Sequence, residues 1–235
     1  MRTGARLKPD LVRAIIFDID GTLSDSDDQM VAKVEQLLRP LRGMFSDVGR
    51  HATARWLVMA AESPGNFLYN LADRLSLDSF LIKQLDRASQ KRKQRIKKYW
   101  IIPGVAEMLE RFAQRLPLAV VSARDEHSSL AFIQQFHLEP YFNVIVTSQT
   151  CEHTKPFPDP LLYAARQMQV APENCLMVGD TTVDMRAARL AGMQAIGVLC
   201  GFGRQRELLR AGAHEILNST AELLDLLENK LKREG

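Results

Sequence analysis

The chain has 235 residues and a formal net charge of +3, with 46% hydrophobic and 25% charged residues, the balance of an ordinary globular protein. So small a charge gives no electrostatic reason for a nucleic-acid partner, and no apolar run approaches the roughly 18 residues of a membrane span. Residues 1–13 are basic but lack the apolar stretch of a secretory signal, and Cys151, Cys175 and Cys200 lie far apart with no CxxC pair to hold zinc, so a cytoplasmic, reduced chain is expected.

After a polar leader, Ala14-Ile15-Ile16-Phe17 reads as a strand buried on both faces. It runs into Asp18-Ile19-Asp20-Gly21-Thr22-Leu23. Residues two apart in a strand point the same way, so both carboxylates share one side, and Gly21 permits a sharp exit. Beyond this point the pattern turns helical. Met30, Val34, Leu37 and Leu41, then Phe67, Leu68, Leu71 and Leu75, recur at helical spacing, with Pro64-Gly65 between them. Residues 25–100 are therefore expected to form an all-helical insert between two parts of one core, 1–24 and 101–235. The basic run Lys91-Arg92-Lys93-Gln94-Arg95-Ile96-Lys97-Lys98 spreads its charge round a helix. It reads as a solvated helix end, the alternative being attraction of polyanionic substrates.

Pro103-Gly104 marks the return, followed by a helix with Val105, Met108, Leu109 and Phe112 on one face. Strands are then expected at 118–121, 144–147, 176–179 and 195–199, with helices at 125–136, 159–169 and 182–191, the last closed by Gly192. Helices at 204–211 and 221–231 finish the chain, with a short strand near 215–217. Such alternation predicts an α/β fold, a Rossmann-like three-layer core with a parallel sheet. Ligands in such sheets bind at the carboxyl ends of the strands. Asp18, Ser122 and Asp180 each stand at the carboxyl end of their own strand, which points to one shared site.

Four stretches carry the chemistry-bearing residues: Asp18 to Leu23, Val120-Val121-Ser122, Lys155-Pro156-Phe157-Pro158-Asp159-Pro160, and Met177-Val178-Gly179-Asp180-Thr181-Thr182-Val183-Asp184. Together, and in this order, they resemble the four motifs of the haloacid dehalogenase-like superfamily, across essentially the whole chain outside residues 25–100. Gly201-Phe202-Gly203 and Arg210-Ala211-Gly212-Ala213 look most like its phosphoglycolate phosphatase-like branch, which carries a helical cap between the first and second motifs. The resemblance implies strand order 5-4-1-2-3, with the Asp18 strand central, between those of Ser122 and Asp180.

It also implies a chemistry. Asp18 becomes the nucleophile that attacks phosphorus to form an aspartyl-phosphate. An aspartate and a phosphate dianion about 4 Å apart repel by roughly 8 kcal/mol at an effective dielectric near 20. A divalent ion between them removes that repulsion, and all-oxygen ligands favour Mg2+. The implied ligands are Asp18, the backbone carbonyl of Asp20, and Asp180. Asp20 is the implied general acid and base. Ser122, with the amide of Ala123, faces a phosphoryl oxygen, and Lys155, held among prolines, stabilises charge on the transferring group. Asp184 either binds the ion through water or orients Lys155, and Gly179 lets the backbone approach closely. Where this chain has Ala123 the family often has asparagine, and the role of Arg124 is open.

The expected function is a Mg2+-dependent phosphatase acting on a small phosphorylated metabolite, phosphoglycolate being a candidate. Neither nucleic acid nor membrane is expected as a partner, and the oligomeric state is monomer or homodimer. Three rivals stand beside this reading. A sugar phosphomutase shares nucleophile and acid/base but protects its aspartyl-phosphate from water, and a pyrophosphatase differs in leaving group. A non-catalytic binding protein would be expected to have lost a nucleophile or metal acid, and none is missing here.

Overall fold

In the computed structural model the apolar runs become six parallel strands: β1 (Ala14–Phe17), β2 (Leu118–Val121), β3 (Val144–Val146), β4 (Cys175–Gly179), β5 (Gln194–Val198) and β6 (Glu215–Leu217). Their order, β3-β2-β1-β4-β5-β6, is the expected 5-4-1-2-3 read from the other edge, with β6 added beside β5. The structure describes residues 6–25 and 99–231. The chain divides into two units, Met1–Ser26 with Tyr99–Gly235, and Asp27–Lys98, and every described residue belongs to the first. Apart from its end residues, the helical insert expected at 25–100 lies outside the described residues, as does the basic run at 91–98.

The helices of the first unit are α1 (Val105–Ala113), α2 (Glu126–Gln135), α3 (Asp159–Gln167), α4 (Thr182–Ala191), α5 (Gln205–Ala211) and α6 (Leu223–Leu231). Alternation along the strands divides the core in two. Ile15, Phe17, Leu118, Val120, Leu176 and Val178 face one way, packed with Met108, Leu109 and Phe112 of α1, Phe132 of α2 and Leu223 of α6. Ala14, Ile16, Ala119, Cys175, Met177 and Ala195 face the other, against alanines of α3 and α4. Small residues on both sides of that second interface let the helices pack close to the sheet. Both faces are covered, which is why these strands read as continuous apolar runs.

Local chemistry sets the helix ends. The Asp125 carboxylate accepts from the Ser128 amide to cap α2, and Thr181 caps α4. Gly192 closes α4 at φ 74°, a left-handed conformation that glycine adopts without a Cβ penalty. Several expected ends move by one or two residues, as fraying ends do, and 220–222 forms a 3-10 turn before α6 rather than its first α turn. The segments flanking the insert pair with each other. The Asp25 amide donates to the Trp100 carbonyl (2.9 Å) and the Ile102 amide to the Leu23 carbonyl (3.0 Å), around an antiparallel bridge between Ser24 and Ile101.

Register does the positioning. Phe17 lies level with Val120 of β2 and Val178 of β4, so the residues just beyond these three strands, Asp18, Ser122 and Asp180, emerge along one edge of the sheet.

Candidate active site

Asp18 leaves β1 with its amide bonded to the Val178 carbonyl (3.0 Å), and its side chain is buried. Lys155 reaches it from the loop before α3: Nζ stands 2.9 Å from Asp18 Oδ1 and donates to Asp184 Oδ1 at 2.6 Å. Burial by itself would lower the lysine's proton affinity. The charges of Asp18 and Asp184 more than offset this and raise it, so Lys155 is a buried ammonium held between two carboxylates.

Asp184 is fully buried and owes its place to α4. Its Oδ2 accepts from the Thr181 amide (3.0 Å) and hydroxyl (2.6 Å), while its amide donates back to the Thr181 hydroxyl (3.4 Å). This reciprocal capping box leaves Oδ1 for Lys155. Gly179 supplies the room, because a Cβ there would stand 2.5 Å from Asp184 Cγ.

Asp180 is also fully buried. Its Oδ2 accepts from the Phe202 amide at 2.8 Å, and the Thr22 hydroxyl approaches Oδ1 at 3.5 Å. Two glycines make space for this carboxylate. A Cβ on Gly21, whose φ is +66°, would lie 2.5 Å from Asp180 Oδ2, and one on Gly201 would lie 2.2 Å away. The glycines of Gly201-Phe202-Gly203 are thus part of the Asp180 setting.

Asp20 lies at the margin, partly exposed. The Arg124 Nε donates to its Oδ2 at 2.7 Å and Nη2 donates to Oδ1, a two-point ion pair. Ser122 is buried at the end of β2, and its Oγ accepts from the Arg124 amide at 3.2 Å. Ala123 follows, exposed. Of the residues expected from sequence, Asp18, Lys155, Asp180 and Asp184 form one buried group. Asp20 and Ser122 sit beside it, both joined to Arg124. Sequence reasoning missed three contributors. Thr181 had a signal, a threonine three residues before an acid at a helix start. The Phe202 amide and the Arg124–Asp20 pair had none, since they join positions 22 and 104 residues apart.

One carboxylate oxygen from each of Asp18, Asp180 and Asp184 lies within 4.8 Å of the others. Among the described residues a single ammonium stands against these three acids, an excess of two negative charges when all three are ionised. Asp18 is raised to about 7: burial is the largest cause, Lys155 opposes it, and Asp184 and Asp20 add to it. Asp180 is raised well above its ordinary range, first by burial, then by Asp184 and Asp18. Acids that resist ionisation together fit a missing positive charge. The donor set is all oxygen, and its charge matches a hard divalent cation.

Packing alone gives no reason to bury three acids and a lysine at the carboxyl ends of the central strands of a parallel sheet. This is the construction of an α/β enzyme. The family model for haloacid dehalogenase-like hydrolases matches residues 15–198, and the chain belongs to that family. A phosphoglycolate phosphatase from Chromobacterium violaceum is 31% identical over 234 residues, covering 93% of this chain and 97% of the relative. Among solved structures, a hydrolase from Pseudomonas syringae superposes with a TM-score of 0.70 at 26% identity, covering 92% of this chain and 98% of the other. A putative beta-phosphoglucomutase from Thermotoga maritima gives 0.66 at 25%, covering 93% and 99%.

Proposed function

We propose that the protein is a Mg2+-dependent phosphatase that hydrolyses a small phosphomonoester through an aspartyl-phosphate on Asp18. The observation that carries this reading is the buried group itself: a carboxylate at the end of the central strand, 2.9 Å from a lysine and within 4.8 Å of two further acids. The phosphoglycolate phosphatases among its relatives make phosphoglycolate the first substrate to try. Asp18, Asp180 and the backbone carbonyl of Asp20 would hold the cation, with Asp184 supporting. When bound, the cation neutralises the repulsion between Asp18 and an incoming phosphate dianion.

In the first step an Asp18 oxygen bonds to phosphorus, the bond from phosphorus to the leaving oxygen breaks, and Asp20 gives that oxygen its proton. Water then attacks the phosphorus. Asp20 takes the water's proton, and the acyl-phosphate bond breaks to return Asp18 and inorganic phosphate. Ser122 and the Ala123 amide hold phosphoryl oxygens, and Lys155 supplies positive charge as Asp18 changes partners. Discrimination among leaving groups is assigned to the insert expected at residues 25–100. A cytoplasmic setting and a monomer or homodimer belong to the same reading; the three cysteines are free, and among the described residues no helix is long and apolar enough to cross a membrane.

The test is a panel of phosphorylated metabolites assayed with Mg2+ for free phosphate, then repeated in excess EDTA. Release from at least one monoester, lost on chelation and restored by Mg2+, is expected. Full activity after chelation would remove the metal from the reading, and no release from any monoester would remove the phosphatase. The Thermotoga likeness favours one second reading, a sugar phosphomutase; isomerised sugar phosphate in place of free phosphate would select it.

A further inference from the structure

Arg124 has no part in the mechanism above, yet it is among the most constrained side chains at the site. Its guanidinium presents Nε and Nη2 side by side to the two oxygens of Asp20. It lies over the Tyr99 ring, 4.9 Å from the centroid, and near Phe132 at 5.8 Å. This shelf is itself fixed. Tyr99 meets Phe132 edge-on at 6.0 Å, and the Tyr99 amide and carbonyl are both bonded to the Gln135 side chain, at 3.2 and 2.9 Å. The Arg124 backbone amide is spent on Ser122 Oγ. The arginine is thus held on aromatic rings on one side and closed on a carboxylate on the other.

We infer that Arg124 is a positioning residue for Asp20: its fork fixes the plane and rotamer from which the Asp20 carboxylate reaches the leaving oxygen. The inference rests on the acid/base role proposed for Asp20. Aspartate at a strand end has two rotatable side-chain bonds, and a single charge nearby would leave the carboxylate plane free to turn. A planar two-point pair does not. The fork need not block chemistry. A carboxylate has about four lone-pair sites and the fork takes one on each oxygen, so its geometry is compatible with a proton carried on either oxygen for the first step. The aromatic shelf explains why the position holds arginine, since a flat delocalised cation stacks on rings where an ammonium would sit as a hydrated point.

The test separates positioning from substrate binding by varying the leaving group. Wild type, Arg124→Met, Arg124→Lys, Asp20→Asn and the double variant Asp20→Asn/Arg124→Met are assayed with p-nitrophenyl phosphate and with the best alkyl phosphomonoester of the metabolite panel. The kcat/KM reports the path up to aspartyl-phosphate formation, where an alkoxide needs a proton and nitrophenolate scarcely does. Arg124→Met is expected to lower kcat/KM about 10²-fold for the alkyl ester and less than about 5-fold for the aryl ester, the pattern of a misplaced general acid. Asp20→Asn should show the same ordering, and the double variant should be no slower than Asp20→Asn, as for two residues acting through one group. Arg124→Lys should recover little, having charge without the fork. Inhibition by inorganic phosphate should be unchanged.

Equal losses on both esters, weakened phosphate inhibition, or losses that multiply in the double variant would overturn the inference in favour of direct substrate contact. If Arg124→Met fails to fold, the Arg124→Lys comparison carries the test, and wild-type rates there would equally overturn it. Wild-type protein inactive on every ester would strike the phosphatase reading itself, a separate outcome.

Discussion

At the scale of single residues, the two acids of the first turn differ in setting and should differ in consequence. Asp18 is 7% exposed and touches Lys155, whereas Asp20 is partly open and touches Arg124. Asp18→Asn removes the attacking oxygen while keeping shape, and in metal-free protein it relieves crowding among the buried acids. The kcat should fall at least about 10³-fold, as when a nucleophile is lost, while thermal melting and circular dichroism stay close to wild type. Retained turnover in the folded variant would end the nucleophile assignment. Asp20→Asn should cost roughly 10²–10⁴-fold. Rapid-quench measurement of aspartyl-phosphate formation and decay should find the loss in both steps.

Among elements, the loop after β5 and the start of α4 hold the acids that β4 delivers. Two glycines make contrasting tests. Gly201→Ala would drive a Cβ to 2.2 Å from Asp180 Oδ2, so either the loop or the carboxylate must shift. The Mg2+ concentration for half-maximal activity is expected to rise about 10–100-fold, the usual cost of disturbing a ligand's support. An unchanged activation constant would argue against Asp180 as a ligand. Gly192, at the end of α4, has a positive φ, but a Cβ at this position would meet nothing within 4 Å. Gly192→Ala should therefore cost about 1 kcal/mol of stability through backbone strain alone, measured by denaturant unfolding, with Mg2+ activation unaltered.

For the molecule as a whole, the proposed cation and protons should compete for the same buried carboxylates. Burial, opposed by Lys155 and helped by Asp184 and Asp20, lifts Asp18 from 3.8 to about 7 in the folded chain. A folded value above the unfolded one means that the metal-free native state binds more protons between the two, so its stability falls as pH rises through that window. A divalent cation needs the ionised group and must displace the proton below about pH 7. Mg2+ is thus expected to raise the melting temperature more at pH 8 than at pH 6, measured by calorimetry. Equal shifts would show that these acids do not take up the cation. In the proposed mechanism the described core holds the phosphoryl group, and discrimination among leaving groups is assigned to the insert. Exchanging residues 27–98 for those of a relative with another substrate should reorder kcat/KM among monoesters and leave the Mg2+ requirement in place. An unchanged ranking in a folded chimera would place specificity in the core.

Much of this was legible in the sequence because it is local. Strands buried on both faces appear as runs such as Ala14-Ile15-Ile16-Phe17, and the Asp125 cap and Gly192 stop mark helix ends through their own neighbours. Asp18, Ser122 and Asp180 at the carboxyl ends of three strands of an α/β pattern pointed to one site, since parallel strands end on one edge, and the resemblance supplied the strand order. Tertiary structure alone decided which charges meet. Lys155 could have been solvated, and only the loop before α3 brings it between Asp18 and Asp184. Arg124 lies 104 residues from Asp20, and the pair forms because adjacent strands β1 and β2 end side by side with Tyr99 and Phe132 beneath the guanidinium. Periodicity reports which face a residue takes within its own element. Partner choice across elements depends on register and packing, which no window of the sequence contains.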